Sequence, residues 1–63
     1  MTPLLSRQQA AAFLGVPPAT LAAWAYRGTG PRYYRIGRWA RYAEEDLITW
    51  VDRRAVETDG AGR

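Results

Sequence analysis

Apolar residues fall at helical spacing in three stretches of this 63-residue chain and at strand spacing in one. The first stretch holds Ala10, Phe13 and Leu14, flanked by Ala11. Ahead of it Ser6 and Gln9 stand three apart, the pattern of a capping box. The hydroxyl takes one free backbone N–H and the amide reaches back to another. This predicts a helix from about Arg7 to Leu14, with Gly15 as its left-handed stop. Pro18 suits the first turn of a second helix, where its missing N–H is no loss. Leu21, Trp24 and Ala25 form an inward stripe, so this helix should run from about Pro18 to Arg27 and end at Gly28. Its outer face then carries Ala19, Thr20, Ala22, Ala23, Tyr26 and Arg27.

Thr29-Gly30-Pro31 breaks the chain, and Arg32 to Tyr42 is rich in strand formers around Gly37, which predicts a β-hairpin. A two-residue Gly37-Arg38 loop would place Tyr34 and Arg41 on the face of Ile36. A three-residue loop through Trp39 would place Tyr34, Ile36, Ala40 and Tyr42 on one face, with Tyr33, Arg35 and Arg41 on the other. A one-residue slip moves every side chain across a sheet. The cleaner segregation favours the three-residue loop, with Arg38 and Trp39 at an exposed tip. A third helix should begin near Ala43 and fade around Ala55. Glu44, Glu45 and Asp46 in its first turn suit the positive end of the helix dipole. Leu47, Trp50, Val51 and Arg54 make its stripe. The expected core is Phe13, Leu14, Leu21, Trp24, Ile36, Leu47 and Trp50. Residues 1–55 form one domain, and 56–63, small and polar, are expected to be a disordered tail.

Composition narrows the function classes. The chain is 48% hydrophobic, but eleven of those residues are Ala, so few large side chains remain for a core. A chain this short buries roughly 60% of its unfolded surface. With neither Cys nor His it lacks thiolate ligands, disulfides and the usual general base. Consecutive carboxylates at 44–46 splay around a helix, so no metal or other cofactor is expected. These features argue against an enzyme. No apolar run approaches the ~20 residues of a membrane span and no signal peptide opens the chain, which suggests a cytoplasmic module.

Charge is divided along the chain. Residues 1–42 carry Arg7, Arg27, Arg32, Arg35, Arg38 and Arg41 without a single acid, whereas residues 43–63 carry six acids against three Arg. A one-sign surface on a small domain attracts polyanions, nucleic acid above all.

Two closely linked helices, a basic hairpin and a covering helix, α-α-β-β-α, describe a mainly α winged helix-turn-helix. The segments Leu4-Leu5-Ser6, Ala10-Ala11, Phe13-Leu14-Gly15-Val16, Pro18, Thr20-Leu21, Trp24, Gly28 and Gly30-Pro31 carry a family resemblance. So do Arg35-Ile36-Gly37, Arg41-Tyr42, Glu45-Asp46-Leu47 and Trp50-Val51. Over about residues 4–52 the chain resembles the excisionase family of MerR-like DNA-binding domains. That resemblance implies a second helix in the major groove and a hairpin wing on the adjacent minor groove or backbone. It also implies cooperative binding beside neighbouring protomers, DNA bending, and a phage or plasmid integrase steered toward excision, with no catalysis by the factor itself. A small transcriptional regulator of mobile-element genes would share the domain. A protein-interaction module that turns its arginines toward an acidic partner is the reading from another class.

Two positions depart from the family pattern. Pro17 stands where Ser or Thr often caps the second helix, and Ala19, Ala22 and Ala23 stand where Arg or Lys is common. Alanine can touch a thymine methyl but makes no bidentate base contact, so backbone and shape readout should dominate. The candidate DNA-binding residues are Arg7, Thr20, Ala23, Tyr26, Arg27, Arg32, Arg35, Arg38, Trp39 and Arg41. Trp39 has three readings: a minor-groove wedge, a contact between protomers, or a side chain folded back on the core.

Overall fold

The computed structural model describes residues 3–57, and its elements follow the expected order with one addition. Strand β1 (Leu5–Ser6) precedes helix α1 (Arg7–Leu14) and helix α2 (Pro18–Tyr26). Strands β2 (Tyr34–Ile36) and β3 (Trp39–Tyr42) form the hairpin, and helix α3 (Glu44–Asp52) follows. The result is a winged helix-turn-helix. The capping box is present: Ser6 Oγ accepts from the Gln9 N–H at 3.1 Å and Gln9 Oε1 accepts from the Ser6 N–H at 2.9 Å. Gly15 ends α1 at φ 76°, in the left-handed region. Helix α2 starts at Pro18, and Pro17 before it supplies no side-chain cap. Val56 and Glu57 lie outside regular structure and are exposed, and the remainder of the expected tail, 58–63, falls outside the described residues.

The added strand β1 completes an antiparallel sheet of order β1-β3-β2. Leu5 lies opposite Tyr42, and Ser6 opposite Arg41. Two residues are too few to display an alternating pattern, so only pairing with β3 makes this segment a strand.

The hairpin register differs from expectation. Ile36 pairs with Trp39, Arg35 with Ala40 and Tyr34 with Arg41, so the loop is the two-residue Gly37-Arg38. Gly37 has φ 62° while Arg38 keeps a negative φ, the form of a type II′ turn, whose twist matches the flanking strands. Directly paired residues share a face. Arg35, Ala40 and Tyr42 therefore share the face toward the core, and Tyr34, Ile36, Trp39 and Arg41 the other, from which the Tyr34 hydroxyl reaches α3. Segregating apolar from cationic side chains was the wrong criterion, because guanidinium groups lie over aromatic rings on the outer face. Arg41 is 5.6 Å from the Trp39 ring centroid and Arg32 is 5.3 Å from that of Tyr34.

The core is Ala10, Ala11, Leu21, Tyr42 and Leu47, with Leu5, Leu14, Val16, Trp24, Tyr33 and Ala40 packed against it. Two expected core residues are surface residues: Ile36 is 52% exposed and Phe13 44%. The register sends Ile36 outward. Helix α1 makes its close approach through two alanines, which leaves Phe13 at the rim of the contact. Val51 is likewise exposed. Trp50 is half-buried and tilts against Trp24 at 5.4 Å.

Gly30 is required by the fold on two counts. Its φ is 82°, and a Cβ there would lie 2.9 Å from the Cβ of Trp24. Gly30→Ala is therefore expected to lose more than about 1 kcal/mol of stability, read as a lower urea midpoint at unchanged slope.

Candidate nucleic-acid interface

Helix α2 buries Leu21 and packs Trp24 inward, while its opposite side stays uncovered. Ala19 is exposed at the start of that side, and Tyr26 is 93% exposed at its end. Arg27 caps the helix, exposed, with its N–H bonded to the Ala23 carbonyl at 3.1 Å. Thr20 and Ala23 are half-buried along the same helix. Gly28 at φ 75° then turns the chain toward the hairpin.

A cleft of about 360 Å³ separates α2 from β2. Ala22, Ala25 and Tyr26 line one side, Tyr33 and Arg35 the other, and Arg7 of α1 completes it. Arg7 is held in place: its guanidinium lies 5.8 Å from the Tyr33 ring centroid, and its Nε donates to Tyr42 Oη at 3.4 Å. Tyr42 itself is buried against Tyr33 at 5.6 Å, so the core anchors this cation. Restraining a long side chain in advance reduces the entropy lost when it meets a ligand. The cleft is cationic, and its lining contains no carboxylate.

The hairpin continues the surface outward. Arg38 is exposed in the turn, and Trp39 beside it is 58% exposed, so Trp39 does not fold back onto the core. Arg41, half-buried, donates from Nη1 to its neighbour Ala40 O at 2.9 Å and stacks on Trp39. Arg35 and Arg41, expected on one face, occupy opposite faces of the sheet. Glu44 and Glu45 are exposed in the first turn of α3. It is Asp46 that reaches the hairpin, accepting from Tyr34 Oη at 3.3 Å.

The six arginines before residue 43 therefore do not share a single patch. Arg7 and Arg35 line the cleft, Arg27 ends α2, and Arg38 marks the hairpin tip. Arg32 instead joins Arg53 and Arg54 around a separate pocket beside α3. Sequence reasoning missed three contributors. Tyr33 was counted as an outward hairpin residue, yet it walls the cleft and stacks beneath Arg7. Arg53 and Arg54 were hidden inside a segment of net negative charge; the adjacent pair at a helix C-terminus was their only signal.

No helix among the described residues is long and apolar enough to cross a membrane. No curated protein matches the sequence closely. The sequence profile described as "Helix-turn-helix domain" matches residues 4–55, from the strand before the capping box to just past α3. The match covers both helices of the motif, the hairpin and the covering helix, the elements that leave one side of α2 open. The chain belongs to the helix-turn-helix domain family, whose members bind DNA.

Proposed function

We propose that this domain is an excisionase, a recombination directionality factor that binds and bends attachment-site DNA and directs an integrase toward excision. The observation that supports it best is the open side of α2 beside a cationic cleft, with a basic hairpin beyond. Helix α2 enters the major groove through Ala19, Thr20, Ala23, Tyr26 and Arg27. Arg7 and Arg35 meet phosphates along the cleft. The hairpin lies in the adjacent minor groove, where Arg38 reaches backbone or base edges and Trp39 packs against sugars. Arginines on both hairpin faces suit a groove, which has a wall on either side.

The alanine-rich outer side of α2 supports readout through backbone and shape. Bidentate base contacts are each worth about 1–3 kcal/mol of discrimination, and alanine supplies none. A protein that reads deformability gains specificity from bending its site. Such a small interface gains from neighbouring protomers on adjacent sites, consistent with the cooperative binding of the excisionase type.

The test is excision in vitro, with purified integrase and paired attachment sites, in the presence and absence of this protein. Stimulated excision, together with altered mobility of circularly permuted duplexes, is the expected result. Tight, specific duplex binding with no effect on excision would replace this reading with a transcriptional regulator. Arg38→Ala is expected to weaken duplex binding by about 1 kcal/mol or more without changing the far-ultraviolet spectrum. Unchanged affinity would remove the hairpin tip from the interface.

A further inference from the structure

We infer that Arg32, Arg53 and Arg54 form a second phosphate-binding pocket, apart from the α2–hairpin cleft, that takes a phosphodiester of duplex DNA. This rests on the reading of the domain as a duplex binder, which the helix-turn-helix family supports. The pocket, about 430 Å³, lies between the loop before β2 and the C-terminal half of α3. It shares no lining residue with the cleft. Three guanidinium groups face one carboxylate, Asp46, whose Oδ2 is already engaged by the Tyr34 hydroxyl. Thr49 adds a hydroxyl from the same side of α3.

Two features point to an external acceptor. The guanidinium of Arg54 lies 4.1 Å from the Trp50 ring centroid, and that of Arg32 lies 5.3 Å from Tyr34's. A guanidinium held over a ring keeps its in-plane N–H edges for bidentate contact with an anion. In addition, Nε1 of Trp50, a pocket-lining residue, is buried without a hydrogen-bond partner among the described residues. A buried indole N–H without an acceptor is costly and unusual in a native protein. The negative end of the α3 dipole accounts for a cation at residues 53–54. It accounts neither for Arg32, delivered from the opposite wall, nor for the unpaired indole. A phosphate oxygen seated here is within the pocket that Trp50 lines.

The phosphodiester can belong to the flank of the duplex bound by α2 or to a second duplex. Indole N–H resonances of uniformly labelled protein, assigned with Trp50→Phe, provide the readout. Inorganic phosphate replacing chloride at constant ionic strength is expected to shift the Trp50 signal selectively. Arg53→Ala/Arg54→Ala should abolish that shift, with the remaining amide spectrum intact. Arg53→Ala alone, which spares the stack on Trp50, should halve it or more. On duplex DNA the double variant is expected to bind about tenfold more weakly and to flatten the salt slope by about two. If the penalty vanishes on a duplex trimmed to the α2 footprint, the phosphate comes from the flank. If it persists with two duplexes per protein, it comes from a second molecule. A Trp50 signal unmoved by phosphate, with a salt slope unchanged in the double variant but flattened by Arg35→Ala, overturns the pocket and leaves the duplex reading intact. A native protein with no salt-dependent duplex binding overturns both.

Discussion

Leu47→Ala is expected to lower the free energy of unfolding by about 2–5 kcal/mol. Leu47 is fully buried at the meeting point of α3 with α1 and the sheet, in one cluster with Ala10, Ala11, Leu21 and Tyr42. Two of those neighbours are alanines, which cannot repack into the volume the leucine leaves. A domain of this size has a total stability of about 3–9 kcal/mol. The substitution therefore removes a large share of it, and urea unfolding followed by tryptophan fluorescence should show a population unfolded at low denaturant. Ile48→Ala, one residue on but exposed, should cost under about 1 kcal/mol. Equal losses from both would mean that α3 does not pack through Leu47.

The second large effect is ionic. Four to six arginines on phosphates give log affinity against log salt a slope of about −4 to −5. A rise from about 50 to 200 mM salt then weakens duplex binding about 250- to 1,000-fold. Anisotropy of a labelled duplex measures this directly. Arg35→Glu should flatten the slope and weaken binding further than Arg35→Ala, since it puts a carboxylate on the wall of a cleft that has none. A native slope shallower than −1 would mean that the cationic surface meets something other than a polyanion. Specific duplex should also outcompete random duplex, which an acidic protein partner would not explain.

Local chemistry made the helices legible. Ser6 and Gln9 marked the start of α1, Gly15 its end, and Pro18 the start of α2, because caps and proline act through neighbouring backbone groups alone. The acids at 44–46 marked α3 for the same reason. Of the ten candidate DNA-binding residues, Tyr26, Arg27, Arg35, Arg38 and Trp39 are exposed on α2, in the cleft or at the hairpin end. Arg7 lines the cleft and is restrained there by Tyr33 and Tyr42, contacts that span more than twenty residues of sequence. Arg32 stands apart, facing α3. Its neighbours in sequence are aromatic hairpin residues, whereas its neighbours in space are Arg53 and Arg54.

Residue order alone determined three helices, the capping box and glycine stop of the first, and a glycine-turned hairpin between the second and third. It also determined that most of the positive charge lies before residue 43. What required the tertiary structure was every feature made by pairing across distance. β1 exists because β3 offers it an edge. The hairpin pairs Arg35 with Ala40, which puts Tyr33 and Arg35, not Tyr34 and Ile36, on the face that Tyr42 buries. The arginines divide between a cleft and a pocket because the loop before β2 carries Arg32 to α3, while strand alternation turns Arg35 toward α2. Capping and helix periodicity are short-range and leave marks within a few positions. Strand register and charge clustering depend on contacts formed only after the chain has closed on itself.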